Sequence, residues 1–332
     1  MARKILVTGR LPEDILSALA EQFEVASQHE DRPLERQRLL AAVGDRDGLL
    51  CMITDGIDDE LLSRAPRLKM IANMGVGYNN IDVAAATARG IPVSNTPGVL
   101  TEATADLAFT LLLAIARRVV EGDRLVRAGE FRFWAPFLFL GREVSGKTLG
   151  IIGMGRIGKA VAQRARGFDM PVIYHNRSRL EPAEEVRLGA RHTALDELLH
   201  KSDFISLHVP LSAETRHLIG RRELALMKPT AFLINTSRGP VVNEQDLLTA
   251  LQAGQIAGAA LDVYEHEPAL TPGLALLDNV VLLPHVGSAT LETRTRMAAM
   301  AVQNLIAGLN GQRPPNVVNP EIFVTRTMKN GS

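Results

Sequence analysis

The sequence has little of what secreted, nucleic-acid-binding or membrane-spanning proteins are built from. Cys51 is the single cysteine among 332 residues, so no intramolecular disulfide can form. Lysine plus arginine equals aspartate plus glutamate at 37 each, which leaves no broad field of one sign to attract nucleic acid or an anionic membrane. The longest apolar run, LAFTLLLAIA, is shorter than the ~20 residues that span a bilayer. These absences predict a cytoplasmic protein whose partner is a small molecule.

What the chain does have is an alternation of short β-branched runs with longer amphipathic stretches, typical of βαβ units around a parallel sheet. The first third offers strands in KILVTG, GLLCMI and LKMIAN. After Lys147 six more follow, in TLGIIG, PVIYH, DFISLHV, AFLINTS, IAGAALDV and NVVLLPH, the number that a complete dinucleotide-binding sheet requires. Between the two sets, the stretch from Thr101 to Glu130 has the apolar spacing of one long helix, with Gly122 as a candidate break.

A glycine fingerprint stands between the strand LGII and the amphipathic segment RIGKAVAQRARGF. Of its glycines, Gly153 permits a tight turn, Gly155 lets a pyrophosphate approach the backbone, and Gly158 lets the helix pack on the strand. At the helix start, the N–H groups of Arg156, Ile157 and Gly158 are expected to face the anion, together with the positive end of the helix dipole. The loop is therefore predicted to bind a dinucleotide.

An acid is missing at the place where this fingerprint usually has one. About twenty residues after the glycines, a carboxylate normally accepts hydrogen bonds from the ribose 2′-OH of NAD. Here the end of the next strand holds Asn176, Arg177 and Ser178, with Arg179 as a second guanidinium. A guanidinium suits a 2′-phosphate, which a carboxylate would repel. We therefore expect NADPH as the preferred cofactor; the alternative is that HNRS is only a polar turn and that NADH serves.

The patterns together predict an α/β protein of two domains. The final amphipathic helix, ATLETRTRMAAMAVQNLIAGLNG, is expected to return to the first domain, which is then discontinuous. We expect the first domain to comprise residues 1–99 and 288–332, and a Rossmann dinucleotide-binding domain to comprise residues 100–287.

Three further motifs, LINTSRGPVVNEQDLLTAL, GAALDVYEHEP and LLPHVGSAT, follow the glycine loop. With MGVGYNNID, ARGIPVSNTPG and TADLAFTLLLA they make nearly the whole chain similar to the D-isomer-specific 2-hydroxyacid dehydrogenases, and within that family to glyoxylate and hydroxypyruvate reductases. The resemblance implies a flavodoxin-like substrate-binding domain, a Rossmann NAD(P)-binding domain and a homodimer. It also implies reduction of a small 2-oxoacid such as glyoxylate or hydroxypyruvate by hydride transfer.

The resemblance assigns the catalytic roles to Arg238, Glu267 and His285. A guanidinium can grip a planar carboxylate bidentately, so Arg238 is expected to orient the substrate. His285 is the expected proton donor to the carbonyl oxygen, and Glu267 would hold its ring and favour its charged form. Spacing alone leaves rivals, because YEHEP contains two other ionisable residues and His208 also ends an apolar strand. Only the place before the proline selects Glu267.

The resemblance also implies further ligand contacts. Backbone N–H groups near Val76 and Gly77, in MGVGYNN, would bind the substrate carboxylate. The implied cofactor neighbours, with Asp262 near the nicotinamide amide, are Thr104, Val209, Pro210, Thr215, Thr236, Asp262 and Gly287. A threonine near a helix start is equally a helix cap. No Cys/His spacing suggests zinc, so we expect no metal.

The segment GEFRFWAPFLFLG departs from helix and strand patterning. It holds the only tryptophan, Trp134, and four of the ten phenylalanines. So many aromatic residues predict a surface that a second subunit buries, in which case Trp134 would shape a neighbouring active site; ordinary core packing is the equal alternative.

Two other functions fit the same motifs. One is an NADH-dependent dehydrogenase of another D-2-hydroxyacid, such as D-3-phosphoglycerate. The other is a nucleotide-sensing corepressor, because the C-terminal-binding proteins share this fold and can retain the catalytic residues. A turnover assay separates the enzymes from the corepressor.

Overall fold

The computed structural model describes residues 2–323, and its chain divides into two compact units. The first is Met1–Leu100 with Ala289–Ser332, and the second is Thr101–Ser288. Each unit contains one sheet whose strands pair in parallel, with helices between consecutive strands. This architecture confirms the predicted α/β class.

The first unit is built on a five-stranded sheet with the order β2-β1-β3-β4-β5, which is the flavodoxin-like order. Its strands are β1 (Lys4–Val7), β2 (Glu24–Ser27), β3 (Gly48–Cys51), β4 (Met70–Asn73) and β5 (Val93–Ser94). Its helices are α1 (Glu13–Ala20), α2 (Arg36–Ala42), α3 (Asp59–Ser63), α4 (Val83–Ala88) and the C-terminal α12 (Leu291–Leu309). The sequence patterns predicted β1, β3 and β4 but missed β2, whose residues are partly exposed, and β5, which has two residues.

The C-terminal helix α12 packs on the sheet of the first unit. A Cβ on Gly48 would lie 3.0 and 3.2 Å from the side chains of Leu309 and Leu305, and one on Gly308 would lie 2.4 Å from the sulfur of Met70. These close approaches explain why both positions are glycine. In the same sheet Cys51 is fully buried, and burial raises the pKa of its thiol, so it packs as a small apolar side chain.

The second unit is built on a seven-stranded sheet with the order β12-β11-β10-β9-β6-β7-β8. Its strands are β6 (Leu149–Ile152), β7 (Val172–His175), β8 (Ala190–His192), β9 (Phe204–Leu207), β10 (Phe232–Asn235), β11 (Gly258–Leu261) and β12 (Val280–Leu282). Its helices are α5 (Thr101–Ala116), α6 (Val119–Arg127), α7 (Arg156–Ala165), α8 (Pro182–Leu188), α9 (Leu195–Lys201), α10 (Arg221–Leu226) and α11 (Glu244–Gln252). The six predicted strands are present; the seventh, β8, was missed because ARH has no apolar alternation.

Two apolar cores cover the two faces of this sheet. One lies between the sheet and α5 and α7, around Phe109 and Val161. The other lies between the sheet and α9 to α11, around Leu198 and Leu247. Because β6, β9, β10 and β11 are buried along their whole length, they read as continuous apolar runs, as parallel strands covered on both faces do. Within residues 2–323 no helix combines the length and apolarity needed to cross a membrane.

The stretch from Thr101 to Glu130, predicted as one long helix with a candidate break at Gly122, forms two helices that separate earlier, after Ala116. Helix α5 ends at Ala116, and Arg118 has a left-handed backbone with φ of 53° before α6 begins. Gly122 lies inside α6. The carbonyl of Ala116 accepts a hydrogen bond from the N–H of Arg142 at 2.7 Å, so a returning segment caps α5 there. Arg118 itself is held by Glu121 and lies 4.0 Å above the ring of Phe139.

Candidate active site

Six loops meet at one edge of the second sheet. The carboxyl ends of parallel strands share an edge, and ligands of open α/β sheets bind there. The glycine loop follows β6, the segment HNRS follows β7, and His208 follows β9. Arg238 follows β10, Glu267 follows β11, and His285 follows β12. Because β10, β11 and β12 are neighbours in the sheet, the three predicted catalytic residues come from three adjacent strands.

His285 and Glu267 form a hydrogen-bonded pair. Nδ1 of the imidazole lies 2.7 Å from Oε2 of the carboxylate, and the two side chains are 27% and 33% exposed. The other carboxylate oxygen accepts the N–H of Tyr264 at 2.9 Å. Burial alone would raise the pKa of Glu267, but His285, the Tyr264 N–H and Arg238 outweigh it and lower that pKa. Glu267 is therefore ionised near neutral pH and leaves Nε2 of the ring to face a ligand.

The backbone at His285 is held by Asp262. His285 has a left-handed φ of 54°, a conformation that a residue with a Cβ adopts at a cost. The carboxylate oxygens of Asp262 accept the N–H groups of Val286 and Gly287, each at 2.7 Å. Burial, the largest influence, raises the pKa of Asp262 above its ordinary value. Two hydrogen bonds directly after His285 therefore hold the backbone from which its imidazole extends.

Arg238 lies in a turn that its neighbours define. The side chain of Asn235 donates to the carbonyl of Arg238 at 3.0 Å and accepts from the N–H and hydroxyl of Ser237. The guanidinium is partly buried and donates to the carbonyl of Ser237 at 2.6 Å. Burial lowers its pKa, while Glu267 acts in the opposite direction. Asn235 was not singled out in the sequence, since an asparagine at a strand end reads as an ordinary turn residue.

Glu265 and His208, the sequence's alternatives to Glu267 and His285, have other hydrogen-bond partners. Glu265, the other glutamate of YEHEP, pairs with His217 at 2.5 Å and so is not the partner of His285. His208 is half-buried, its Nε2 lies 2.8 Å from the hydroxyl of Ser206, and desolvation lowers its pKa to about 3. A histidine that stays neutral at physiological pH is a poor proton donor.

The glycine loop has the shape that a pyrophosphate site needs. Gly153 has φ of 97°, and a Cβ there would lie 2.6 Å from the carbonyl carbon of His208, so only glycine fits. A Cβ on Gly158 would lie 2.2 Å from the carbonyl oxygen of Gly153. No atom lies within 4 Å of the Cβ position of Gly155, which starts α7 as its N-cap. The first N–H groups of α7, on Arg156 and Ile157 among others, have no intrahelical acceptor, as at any helix start, and such groups bind anions.

The loop after β7 offers one guanidinium, not two. Asn176 donates to the carbonyl of Ser178 at 2.9 Å and shapes the turn. Arg177 and Ser178 are exposed, and within residues 2–323 Arg177 forms neither a hydrogen bond nor an ion pair. Arg179 is instead held by both oxygens of Glu185 on α8, at 2.9 and 2.7 Å. Arg179 is therefore already paired, which favours Arg177 as the guanidinium available to a phosphate.

The other predicted cofactor neighbours fall into two groups in the second unit. Thr104, Asp262 and Gly287 lie together, since a Cβ on Gly287 would be 3.1 Å from Asp262 and 3.5 Å from Thr104. Beside the glycine loop, Thr215 binds the carbonyl of Pro210 at 2.6 Å, and the N–H of Val209 lies 2.8 Å from the Cβ position of Gly153.

Thr236 has a buried hydroxyl that lacks a hydrogen-bond partner in the described part of the chain. A buried polar atom without a protein partner is expected to form a hydrogen bond with a ligand or a water molecule. This hydroxyl and the open side of Gly155 both fit a bound dinucleotide. Within residues 2–323 no group of three His, Cys, Asp or Glu side chains suits a metal ion.

In the first unit, the turn at Val76 and Gly77 presents unpaired donors. Asn95 donates to the carbonyl of Val76 at 2.8 Å, and Asn73 donates to that of Gly77 at 2.9 Å. Within the described residues, neither N–H of the two has an acceptor. With the carbonyls held by amide groups, these N–H groups are free to bind an anion.

The aromatic segment after α6 is exposed rather than packed into a core. Trp134 is 77% exposed and Phe137 is 85% exposed, and Phe131 and Phe133 are exposed by more than half. Ordinary core packing, one of the two expectations for Trp134, is therefore wrong. Contiguous exposed apolar surface of this kind marks an interaction site.

The chain is similar to known proteins over most of its length. Residues 109–287 match the family model described as D-isomer specific 2-hydroxyacid dehydrogenase, NAD binding domain. The chain therefore belongs to the D-isomer specific 2-hydroxyacid dehydrogenase family and is an NAD(P)-dependent 2-hydroxyacid dehydrogenase. The family resemblance predicted from the motifs is confirmed.

Its relatives include glyoxylate reductases. The chain is 51% identical over 329 residues to a glyoxylate reductase of Thermococcus litoralis, which covers 98% of this chain and 99% of that protein. It is 51% identical over 330 residues to a glyoxylate reductase of Pyrococcus furiosus, which covers 98% of each. A solved NADPH-dependent glyoxylate/hydroxypyruvate reductase of Sinorhizobium meliloti, in complex with NADP and malonate, is 35% identical, with a TM-score of 0.86 over 96% of this chain and 97% of that one.

Proposed function

We propose that this enzyme reduces glyoxylate and hydroxypyruvate to the 2-hydroxyacids and prefers NADPH. The observation that carries the proposal is the His285–Glu267 pair, 2.7 Å apart, in the loops after β12 and β11, with Arg238 in the loop after the adjoining strand β10. Relatives at about half identity over nearly the whole chain carry the name glyoxylate reductase. Both substrates are small 2-oxoacids, in which a carboxylate adjoins the carbonyl that is reduced.

In the proposed mechanism Arg238 binds the substrate carboxylate and polarises the carbonyl beside it. The nicotinamide dinucleotide, when bound, supplies the hydride. The carbonyl oxygen then gains negative charge, and His285 gives it a proton from Nε2. Glu267 accepts the hydrogen bond from Nδ1, which orients the ring.

The anion site at Val76 and Gly77 is proposed as a second group of donors for the substrate carboxylate. Its support is the pair of backbone N–H groups that no carbonyl of the described residues accepts. Backbone donors suit a small anion because they are fixed by the turn and carry no side-chain entropy. The first unit, predicted as residues 1–99 and 288–332, would thus be the substrate-binding domain.

The NADPH preference rests on the loop Asn176 to Ser178. Arg177 is exposed, and within the described residues it forms no hydrogen bond or ion pair, at the place where NAD-specific proteins have a carboxylate. The glycine loop with Arg156 and Ile157 is proposed to bind the pyrophosphate. The proposed contacts of the remainder of the cofactor are Thr104, Val209, Pro210, Thr215, Thr236, Asp262 and Gly287.

We also propose that the enzyme is a homodimer that buries the segment around Trp134. The support is the run of exposed aromatic and aliphatic side chains, which would be costly to leave in water. Light scattering tests the proposal, and a monomer at micromolar concentration would refute it.

The decisive experiment measures the initial rate of cofactor oxidation with glyoxylate and with hydroxypyruvate. NADPH and NADH are compared at equal subsaturating concentrations. A clear NADPH preference supports the assignment of Arg177. An NADH preference, with turnover of D-3-phosphoglycerate, would favour the alternative dehydrogenase. No turnover of any 2-oxoacid would favour the corepressor.

A further inference from the structure

A second histidine–glutamate pair lies beside the proposed catalytic one. Nε2 of His217 is 2.5 Å from Oε1 of Glu265, which precedes Glu267 by two residues. The carboxylate of Glu265 is 11% exposed, and the imidazole of His217 is 36% exposed. No step of the proposed mechanism uses this pair, so its hydrogen bond calls for a separate explanation.

His217 connects two of the site's segments. Its backbone N–H donates to the carbonyl of Pro240 at 2.8 Å, in the short 3₁₀ turn that directly follows Arg238. Its ring binds Glu265, in the segment that leads from β11 to Glu267. His217 itself has a left-handed φ of 52°, which is unfavourable for a residue with a Cβ. The two hydrogen bonds hold it in that conformation.

The two segments are also in direct contact. A Cβ on Gly239 would lie 1.8 Å from the carbonyl carbon and oxygen of Tyr264, and 2.4 Å from the backbone nitrogen of Glu265. The turn after Arg238 therefore rests against the Tyr264–Glu265 peptide without room for a methyl group. Since the N–H of Tyr264 donates to Glu267, a shift of this peptide would move the carboxylate that holds His285.

Glu244 fixes the other side of the same segment. Its carboxylate accepts the N–H of Glu265 at 2.5 Å and the hydroxyl of Thr271 at 2.7 Å. In return Glu265 accepts the N–H of Glu244 at 3.2 Å. Glu244 is 2% exposed, and its position at the start of α11 ties the segment to that helix. Glu265 is thus held through both its backbone and its side chain.

We infer that His217 and Glu265 are positioning residues that set the placement of Arg238 relative to Glu267, and so of the substrate carboxylate relative to the proton donor His285. The inference rests on the roles proposed above for those three residues. A displacement of about 1 Å in such an arrangement costs on the order of a hundredfold in rate.

The test compares His217→Ala with His217→Gln, because the amide nitrogen of glutamine can lie where Nε2 of the histidine lies. In His217→Ala, we expect kcat/KM for the 2-oxoacid to fall by ~10- to 100-fold, with KM raised and kcat lowered. The dissociation constant of the dinucleotide should stay within about twofold. His217→Gln should keep activity within about threefold of the wild type. Arg216→Ala is the matched control, because this exposed guanidinium lies 3.7 Å from Glu265 and, among residues 2–323, its side chain is paired with no other segment.

A double-mutant cycle compares the wild type, His217→Ala, Glu265→Ala and the variant that carries both changes. We expect the double variant to lose no more activity than the worse single variant, because either change breaks the same link. Unchanged kinetics in His217→Ala would overturn the inference. Equal activity losses in His217→Ala and His217→Gln would overturn it too, as would a loss explained by a lower Tm alone.

The assay uses whichever 2-oxoacid the wild type reduces fastest. Failure of the wild type with glyoxylate and hydroxypyruvate would therefore refute the proposed substrates, while the comparison of variants would still decide the positioning role.

Discussion

Replacing Arg177 with alanine is predicted to reduce the preference for NADPH. Its guanidinium is exposed and has no hydrogen bond or ion pair within residues 2–323, so it is available to a 2′-phosphate. Two unit charges 4 Å apart interact by ~1 kcal/mol in water and by ~4 kcal/mol at the effective dielectric of a protein surface. An exposed loop lies between these limits, and about 2 kcal/mol corresponds to roughly a thirtyfold loss in kcat/KM for NADPH.

The assay measures kcat/KM for NADPH and for NADH with saturating glyoxylate, in the wild type, Arg177→Ala and Arg179→Ala. NADH has no 2′-phosphate, so its kcat/KM should change by less than about twofold in Arg177→Ala. Arg179→Ala is the matched control, two residues away in the same loop. Because Glu185 already holds Arg179 at 2.7 to 2.9 Å, its removal should leave the NADPH to NADH ratio within about twofold. It should lower Tm instead.

Three results would refute this reasoning. One is an unchanged cofactor ratio in Arg177→Ala, and another is an equal loss of NADPH selectivity in Arg179→Ala. The third is a wild type that prefers NADH, which would make HNRS a polar turn only. High salt offers a further check, since it should weaken the Arg177 contribution by screening an exposed charge.

Three further predictions concern separate parts of the molecule. His285→Gln should lower kcat by ~10²- to 10⁴-fold while dinucleotide affinity, followed by fluorescence, stays unchanged. Gly153→Ala should abolish dinucleotide binding in a calorimetric titration, because its Cβ would lie 2.6 Å from the carbonyl carbon of His208 at a positive φ. Arg179 and Tyr174 lower the pKa of Glu185 from 4.5 to about 2, so its ionised form stabilises the fold above pH 4.5 and this contribution is lost between 4.5 and 2. Glu185→Gln should therefore lower Tm at pH 7 and converge with the wild type near pH 2.

The strands of the second sheet could be predicted because burial on both faces demands continuous apolar runs. TLGIIG and AFLINTS stand out from their surroundings for that reason. The edge strands β8 and β2 lack this demand, since β8 has a single buried residue and β2 has none. The break after Ala116 had no local signal either. It depends on Arg142, 26 positions later in the sequence, whose N–H caps the helix.

The candidate catalytic residues could be named from motifs, but their supports could not. Glu267 and Glu265 are alike in type and spacing, and only the fold gives each its own histidine partner. In the sequence Arg179 is as suitable for a phosphate as Arg177, but in the structure Glu185 of α8 forms an ion pair with Arg179. In both cases the deciding partner lies on another element, so the sequence could propose the residue types but not the pairing.

Asp262 has two proposed roles, one toward the cofactor and one toward the backbone after His285. The family resemblance implies a contact with the nicotinamide amide, yet both carboxylate oxygens already accept backbone N–H groups directly after His285. Each carboxylate oxygen has two lone pairs, so a further hydrogen bond from an amide remains available. Asp262 can therefore bind the nicotinamide amide and the two backbone N–H groups at the same time. The backbone hydrogen bonds stabilise the left-handed conformation at His285. An aspartate at this position therefore follows from the demands of the proton donor even before any cofactor is considered.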